Sequence, residues 1–406
     1  MNKILSAKLL LLLLCVQSAF LQAREPYHAL VTVAADSATV SAPNMVDLSR
    51  DLKSSSITEL IPFYTPTSAV SIDINLRGID AISSFAANST TLVVAIPQAG
   101  ITQSFTGTTR DDSIKLFKDF VHDGGTKHRL LRAYAKYSPI DPIAGNPISL
   151  MAQMAKSDYL LGQLSPLSGC DCSWNTQPIV NQFQTGLDVT RAFAGGFETT
   201  SVTIPLRYSY SPNLDWAFII DLPITYNRNG GASSLFNSLG LAIHLPITHE
   251  WSLTPLVRFG SGGTLDLCTA GCFFDTGITS VYHYKFLNYV LTMTNTISYY
   301  TTTNFWLTGI NFNYHLQNYV FKNGLSLVSC KGFTFCNRPL NFGLSVVDSY
   351  FASHLLYIQH YDEVGISVIT NNLIPYFNYD SLSLGFAYQF GEKSYRGYNF
   401  NMIYQF

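Results

Sequence analysis

The last eleven residues, Arg396 to Phe406, alternate between two kinds of side chain. Consecutive side chains of a β-strand point to opposite faces, so the segment predicts a strand with one apolar face and one mostly polar face. The strand ends on an aromatic residue. An edge strand of a soluble β-sandwich, whose apolar face lies in the protein core, would show the same pattern. It is the alternative to a strand whose apolar face meets lipid. The apolar face carries Tyr398, Phe400, Met402, Tyr404 and Phe406.

The same two-sided pattern recurs upstream. Seven clear segments span 202–210, 216–226, 239–245, 251–259, 278–286, 310–316 and 382–390. A shift of one residue in strand register would exchange the apolar and polar faces of a strand. The same alternation in seven segments therefore indicates strands of one two-faced sheet. Weaker alternation at 179–190, 288–300, 319–329, 340–348, 354–360 and 363–370 brings the expected total to 12–14 strands.

The first residues predict export. Lys3 and Lys8 accompany an apolar run from Leu9 to Val16, and Ala23 ends a cleavage-like segment, which is typical of a signal peptide over residues 1–23. A lipoprotein leader that uses Cys15 is the alternative, but the small residues of such a site are missing before it. No later stretch has the roughly 18 uninterrupted apolar residues of a helical span. A spanning chain without such a helix must close its strands into a barrel, because lipid leaves open backbone groups unpaired.

The composition fits strands with one face in lipid and one in water. Charged residues make up 12% of the chain, about half the usual share, and aromatic residues 14%, while hydrophobic residues reach only 47%. The net charge of −2 gives no support to nucleic-acid binding. We therefore expect an all-β transmembrane antiparallel barrel with a small N-terminal α/β segment.

Several segments resemble known proteins. The C-terminal strand is similar to the β-signal that the barrel assembly machinery reads in bacterial outer-membrane proteins. With it, segments 88–91, 105–113 and 251–260 resemble uncharacterised, porin-like outer-membrane barrels of Gram-negative bacteria that carry an N-terminal soluble segment. The resemblance implies an outer-membrane location, with lipid and the assembly machinery as partners, and it brings no catalytic residues.

Residues 45–165 predict a small α/β domain that either lies in the periplasm or plugs the barrel, which would occupy residues 178–406. Strands are expected near 68–76, 90–96 and 101–105. Thr109 and Asp112 form a capping box for a helix, a basic helix follows near 126–137, and Asn146 with Pro147 is expected to begin a third.

Six cysteines follow the leader, in three close pairs. Exported proteins retain disulfides, and two of the pairs lie in predicted loops, so we expect bridges between Cys268 and Cys272 and between Cys330 and Cys336. A bridge between Cys170 and Cys172 would close a strained ring and is less favoured. The spacing does not resemble a zinc site.

The polar face of the strands carries candidate lumen-lining residues. Charges in a lumen either pair with one another or select solutes by their field. One hypothesis is a cation-lined passage set by Arg207, Arg258 and Lys285, and the other is mutual pairing across the wall. The candidates are Arg207, Asp221, His244, Arg258, His283 and Lys285.

Loop lengths predict the orientation. Short turns near 210, 247, 286 and 317 are expected in the periplasm, and long loops at 227–234, 261–274 and 330–339 outside the cell. Both ends of the barrel would then lie in the periplasm.

No catalytic motif, metal-binding motif or cofactor motif is recognisable in the sequence, so we do not expect an enzyme. The favoured function is a porin-like barrel for small solutes. The alternative is a surface-exposed, adhesin-like binding barrel that uses disulfide-stapled loops. The sequence leaves the oligomeric state open.

Overall fold

The computed structural model describes residues 24–122, 124–163, 181–213, 216–229, 231–307, 310–330, 333–335, 338–371 and 381–406. The predicted signal peptide and the cysteines Cys170, Cys172 and Cys336 lie outside these residues, so those predictions remain predictions.

Residues 24–137, here called the N-terminal domain, form one antiparallel sheet with helices. The sheet has the order β2-β1-β3-β4-β5-β6. Its strands are β1 (Tyr27–Val33), β2 (Asp36–Ala42), β3 (Val70–Leu76), β4 (Ile79–Phe85), β5 (Thr91–Ile96) and β6 (Ile101–Thr106), and its helices are α1 (Met45–Asp51), α2 (Ser54–Leu60), α3 (Arg110–His122) and α4 (Gly124–Tyr137). A single 3₁₀ turn, Pro97–Ala99, separates β5 from β6. The sheet thus begins before residue 45.

The predicted capping box forms at the start of α3. The Thr109 backbone N–H donates to the Asp112 carboxylate at 3.0 Å, and the Asp112 N–H donates to the Thr109 hydroxyl at 3.1 Å. Two N–H groups that the helix cannot satisfy are thereby paired. The apolar face of α3 then packs on the sheet, where the rings of Phe117 and Phe120 lie 5.6 and 5.3 Å from that of Phe105.

Twelve antiparallel strands close into a barrel. The predicted barrel is confirmed, and the strand number is the lower limit of the predicted 12–14. Breaks near Pro205 and Pro223, which lack a backbone N–H, divide two of the strands into β8–β9 and β10–β11. The strands are β7 (Asn181–Ala194), β8 (Phe197–Ile204) with β9 (Leu206–Asn213), β10 (Trp216–Asp221) with β11 (Ile224–Asn229), β12 (Ala232–Pro246), β13 (Trp251–Thr264), β14 (Thr269–Phe286), β15 (Tyr289–Thr303), β18 (Gln317–Ser329), β20 (Arg338–Ser353), β21 (His360–Asn371), β22 (Ser381–Gly391) and β23 (Arg396–Gln405).

Three short strands lie outside the twelve. They are β16 (Phe305–Leu307), β17 (Ile310–Phe312) and β19 (Phe333–Phe335), and a 3₁₀ turn spans Glu392–Ser394. The strand expected at 310–316 is therefore wrong: β16 and β17 form a hairpin of their own in the connection from β15 to β18. The side chains of Tyr314 and Leu316 are buried at 0 and 2% exposure, because this connection folds inward over the barrel opening.

The wall has the expected two faces. Along β12, Leu239, Leu241 and Ile243 point outward and are 46, 38 and 42% exposed, while Gly240 and Ala242 face the lumen. An apolar outer face and a polar inner face are what a barrel needs to sit in lipid around a wet interior.

The C-terminal strand closes the ring. β23 pairs with β22 on one side and with β7 on the other. At its end the Phe406 N–H donates to the Phe183 carbonyl at 2.9 Å, and the Phe183 N–H donates to the Phe406 carbonyl at 2.7 Å. Tyr398, Phe400, Met402 and Phe406 are 38–46% exposed on the outer face. The predicted face is confirmed, and reading by the assembly machinery stays a prediction.

The barrel has two rims, which we name by what lies there. The terminal rim contains the start of β7 and the end of β23. The capped rim is opposite and contains the turn 195–196, the turn 265–268 and the connections 304–316 and 354–359. The long loops expected at 227–234 and 261–274 are wrong, because β11, β12, β13 and β14 extend through most of those residues to short turns. The sides expected for 317 and 330–339 are also wrong, because β18 begins at the capped rim and ends at the terminal rim.

The N-terminal domain sits on the capped rim. The His128 Nδ1 lies 2.7 Å from the Asn313 carbonyl, and the Tyr357 N–H donates to the Ala135 carbonyl at 2.9 Å. Ala232 and Leu267 from the rim belong to the core of the domain. The domain and the barrel therefore share one continuous packed surface.

A buried connection, residues 138–149, leads from the domain into the barrel, and helix α5 (Leu150–Gly162) lies inside the lumen. The Asn227 side chain near the capped rim donates to the Ile148 carbonyl at 3.0 Å, and the Gln163 side chain donates to Thr294 at 3.3 Å nearer the terminal rim. The helix thus runs down the lumen from the capped rim. It begins four residues after Asn146, because Asn146 caps a preceding turn through the Ile148 N–H at 3.0 Å.

The cysteines differ in part from the prediction. Cys268 and Cys272 are free thiols, so their predicted bridge is wrong. Cys268 ends a turn, and Cys272 lies inside the extended strand β14. Four residues of strand span about 13 Å, whereas a disulfide holds its Cα atoms within about 7 Å. Cys330 is disulfide-bonded, and its predicted pairing with Cys336 stays a prediction.

Candidate functional site in the barrel lumen

The lumen is organised around one arginine of the wall. Arg258, on β13, is 1% exposed. Its Nε donates to the Asp158 carboxylate of α5 at 2.8 Å, its Nη2 to Asp221 on β10 at 2.8 Å, and its Nη1 to the Ser238 hydroxyl at 3.0 Å. One side chain therefore joins the helix to the wall, with every nitrogen of the guanidinium used.

A second arginine extends this network. The Arg207 Nε, on β9, donates to the other Asp221 oxygen at 3.1 Å, and its Nη1 donates to the Leu160 carbonyl of α5 at 3.0 Å. Asp221 thus lies between two guanidinium groups. Removing one partner from such a buried set costs roughly 3–5 kcal/mol, because the charge that remains is uncompensated.

Tyr300, on β15, completes the contacts of Asp158. Its hydroxyl donates to the second Asp158 oxygen, while the Thr279 hydroxyl donates to the backbone carbonyl of Asp158 at 3.2 Å. Asp158 and Tyr300 are both 0% exposed. The middle of α5 is therefore held by β13, β14 and β15.

The opposite side of α5 has polar contacts of its own. The Lys156 Nζ donates to Asp188 on β7 at 2.7 Å. Lys322, on β18, donates to Ser349 at 2.7 Å, and its Nζ lies 5.6 Å from the centre of the Tyr159 ring. A cavity of about 40 Å³ lies between this side of the helix and the wall, which has room for a water molecule but not for a solute.

Glycines of the wall let the helix approach closely. A Cβ atom at Gly260 would collide with the Met154 sulfur, and one at Gly324 would collide with the Tyr159 hydroxyl. Met151, Met154 and Ala155 are 1–3% exposed in a cluster with wall aromatics. The described part of the lumen is thus filled by α5 at this level.

The structure brings three of the six lumen candidates together, namely Arg207, Asp221 and Arg258. His244 and His283 also face inward but lie closer to the terminal rim, where they contact Thr254 at 3.0 Å and Thr292 at 2.9 Å. Lys285 is exposed near that rim. Both arginines have acidic partners, which favours the pairing hypothesis over the cation-lined passage for those two residues.

Sequence reasoning missed the helix side of the site. Asp158 and Lys156 belong to residues 45–165, for which the sequence predicts a domain that lies in the periplasm or plugs the barrel, but neither residue was identified as a contact to the wall. Asp275 and Tyr300 lie on strands of the wall. The alternation of side chains along β14 places Asp275 on the same face as Gly277 and Thr279, so its inward orientation could have been predicted.

One set of residues on the outer wall has the composition of a metal site. Asp348 on β20 and His360 and Asp362 on β21 each offer a ligand atom, and these atoms lie within 4.8 Å of one another. The His360 Nε2 is 2.6 Å from Asp348 and 4.0 Å from Asp362. Their side chains are 31–44% exposed, and the hydrogen bond between His360 and Asp348 accounts for two of the three groups without a metal ion.

Among the described residues, no helix is long and apolar enough to cross a membrane. The ring of strands is closed, and its outer face presents apolar side chains from strand after strand. The protein is an outer-membrane β-barrel.

Comparison with known proteins adds similar folds. No protein-family model and no curated protein matches the chain. Among solved structures, the β domain of the Bordetella autotransporter BrkA is similar, with a TM-score of 0.43 and 10% identity over 56% of this chain and 99% of that one. The translocator domain of the autotransporter NalP from Neisseria meningitidis has a TM-score of 0.42 and 12% identity, over 63% of this chain and 96% of its own. The CymD monoaromatic hydrocarbon channel has a TM-score of 0.35 and 10% identity, over 66% and 94%.

Proposed function

We propose that the protein is a gated outer-membrane channel for small solutes, which helix α5 closes in the state described here. The observation that carries the proposal is the position of α5, which lies along the lumen and is bound to the wall through Arg258. A barrel of twelve strands encloses more space than its own side chains fill, so an internal segment decides whether it conducts.

The contacts of α5 support a helix that is held but can be released. Its main charged attachments run from Asp158 to Arg258 and from Lys156 to Asp188. The Leu160 carbonyl also accepts from Arg207, and Met151, Met154 and Ala155 pack against the wall. The wall behind them is a continuous hydrogen-bonded sheet. Movement of α5 therefore leaves the barrel intact, whereas movement of the wall would break strand pairing.

A reversible lock tests this proposal. Met154→Cys with Gly260→Cys places two thiols where helix and wall are in contact. We expect the oxidised double variant to show no single-channel conductance in planar bilayers, and reduction to restore opening events. Met154→Cys alone is the matched control for the native cysteines, because it leaves Gly260 free of a colliding side chain. Deletion of residues 24–163 should give permanent, larger conductance, and a barrel that stays closed after this deletion would overturn the proposal.

Placement of the N-terminal domain favours a second candidate, an anchor that presents this domain at the cell surface. The domain lies at the rim opposite to the start of β7 and the end of β23, and the chain reaches it through the lumen. If both barrel ends are periplasmic, the capped rim faces outward. The surface-binding alternative then rests on this domain, because its proposed staple between Cys268 and Cys272 is absent.

Accessibility in intact cells separates the two candidates. An epitope placed before Tyr27 should be reached by antibody on unbroken cells if the domain is displayed, together with an untagged control for leakage. Detection only after the outer membrane is opened would remove the display candidate. It would leave the channel proposal unaffected, since closure by α5 does not depend on orientation.

A further inference from the structure

One buried carboxylate of the lumen wall stands outside the network that holds α5. Asp275, on β14, is 0% exposed, and neither of its oxygens accepts a hydrogen bond from the residues that the structure describes. An ionised carboxylate in such a position would carry a large desolvation cost, so buried carboxylates are paired or take up a proton.

The neighbours of Asp275 explain why it has no donor. In the strand register it lies directly opposite Arg258 on one side and Tyr300 on the other. Arg258 gives its three nitrogens to Asp158, Asp221 and Ser238, and the Tyr300 hydroxyl is given to Asp158. The two donors closest to Asp275 in the strand register, Arg258 and Tyr300, therefore make their hydrogen bonds within the network that holds α5.

The charges of this cluster do not balance. Two guanidinium groups, Arg207 and Arg258, face three carboxyl groups, Asp158, Asp221 and Asp275, and all five are 6% exposed or less. The other charged group near the middle of α5, Lys156, is paired with Asp188, and His244 and His283 bond to threonines nearer the terminal rim. One positive charge is thus missing at the place where Asp275 lies between Arg258 and Tyr300, the two residues that bond Asp158.

We propose that Asp158 and Asp275 form a proton-binding site that locks α5 in the lumen. The bound proton sits on Asp275 and bridges to Asp158, which also keeps Arg258 and Tyr300. This inference rests on the proposed gating by α5. When α5 withdraws, Asp158 leaves with it, and the donors of Arg258 and Tyr300 turn to Asp275, which then gives its proton to water.

The pH dependence follows from this exchange. The closed state holds one proton more than the open state, so alkaline pH favours opening and acidic pH favours closure. A single linked proton changes the ratio of open to closed states by up to tenfold for each pH unit. Asp275 is thus the partner that Arg258 uses in the open state, which makes the cluster a two-state element.

Single-channel recording between pH 5 and pH 9 tests the site. In the wild type we expect the open-to-closed ratio to rise with pH, up to tenfold per unit. In Asp275→Asn the amide donates permanently to Asp158, so the channel should remain closed and the pH slope should vanish. Asp188→Asn is the matched control, because it also removes an inward carboxylate that serves α5, and it should keep the slope while opening more often. An unchanged slope in Asp275→Asn, or a ratio that follows Na⁺ concentration instead of pH, would overturn the proposal.

A readout that does not need conduction separates this inference from the gating proposal. The infrared carbonyl band of a protonated carboxyl should be present in the refolded wild type at neutral pH and missing in Asp275→Asn. If the Met154→Cys and Gly260→Cys lock shows no gating while the band is present, gating by α5 fails and the proton site stands. A variant that does not fold would lose the heat-dependent gel shift. In that case the infrared band of the wild type is the test, and a wild type without this band would refute the proton site.

Discussion

Arg258 shows how a single residue connects fold and function in this chain. Its guanidinium contacts α5, β10 and β12 from its own position on β13. Loss of these buried hydrogen bonds would lower the stability of the fold, because the partner carboxylates would remain charged away from water. A residue that the sequence placed on the lumen wall therefore acts as the attachment point of the plug.

We predict that Arg258→Gln lowers the free energy of unfolding by about 3–5 kcal/mol, since Asp158 and Asp221 lose their shared counter-charge. Arg191→Gln is the control, because Arg191 pairs with Glu198 at 2.6 Å with the two side chains 26 and 18% exposed, so its loss should cost less than that of the fully buried Arg258. Denaturant unfolding of the refolded protein in detergent measures both. Equal losses in the two variants would contradict the assigned role of Arg258.

A second residue-scale prediction concerns Asp141 at the capped rim, where it accepts a hydrogen bond from Tyr314 at 3.0 Å and lies 3.5 Å from Arg77. Burial raises the pKa of Asp141 to about 6, against the opposing effect of Arg77. A raised pKa means that the folded state holds the proton more tightly, so this contribution to stability is complete below about pH 4 and is lost as pH rises to 6. It amounts to about 3 kcal/mol. Unfolding of wild type and Asp141→Asn at pH 4 and pH 7 should show that only the wild type gains stability on acidification from this group, and parallel behaviour would refute it.

At the scale of elements, α5 is a helix without a surface of its own. Its buried residues face the wall around most of its circumference, unlike an amphipathic helix with one solvated side. Asp158 and Lys156 are tolerated within it because the wall supplies their partners. The helix is thus shaped for the lumen and not for a separate domain.

We predict that Gly324→Leu displaces α5, because the new side chain would occupy the position of the Tyr159 hydroxyl. Overpacking of this kind costs about 1–3 kcal/mol, and conductance should rise. Gly385→Leu is the control, since the nearest side chain there is Asn401 of the wall. Hydrogen exchange of residues 150–162 should quicken in the first variant only. Unchanged exchange in both would show that close packing at Gly324 does not position the helix.

At the scale of the whole molecule, two cores meet at the capped rim. The core of the N-terminal domain lies between its sheet and helices, with Ala232 and Leu267 as the contribution of the barrel. The core of the lumen is built by α5, the buried connection and the wall. Asp141 links the two through Arg77 on one side and Tyr314 on the other.

We predict that residues 24–137 fold without the barrel, because most of their buried apolar side chains face one another. The isolated domain should be soluble and should unfold cooperatively by circular dichroism. Its melting temperature should fall below that of the same domain in the whole protein, since Arg77 then lacks Asp141. A fragment without cooperative unfolding would show that the capped rim is part of its core.

Much of the barrel could be predicted because its signal is local. The alternation of Leu239, Leu241 and Ile243 with small or polar residues is readable from the sequence alone, and so is the capping box of Thr109 and Asp112. The same alternation misassigned 310–316, since a hairpin folded over the opening also alternates. Period alone does not say whether a strand joins the wall.

The sequence predicted the wall residues of the candidate site but not those of the helix. Arg207, Asp221 and Arg258 were identified by their face on the strands. A plug from residues 45–165 was one of two alternatives, but no pattern in residues 150–162 indicates that Asp158 meets the wall. The bridge between Cys268 and Cys272 failed for a related reason: spacing along the chain measures distance only when the backbone path is known.

The sequence by itself determined that the strands have an apolar and a polar face, since that depends on the geometry of each strand and its solvent. Only the tertiary structure decided that α5 fills the lumen, that the N-terminal domain lies on the capped rim, and that Asp275 has no donor among the residues described. These features depend on which groups compete for the same partner in space, and that competition arises only when residues more than a hundred positions apart are enclosed in one barrel.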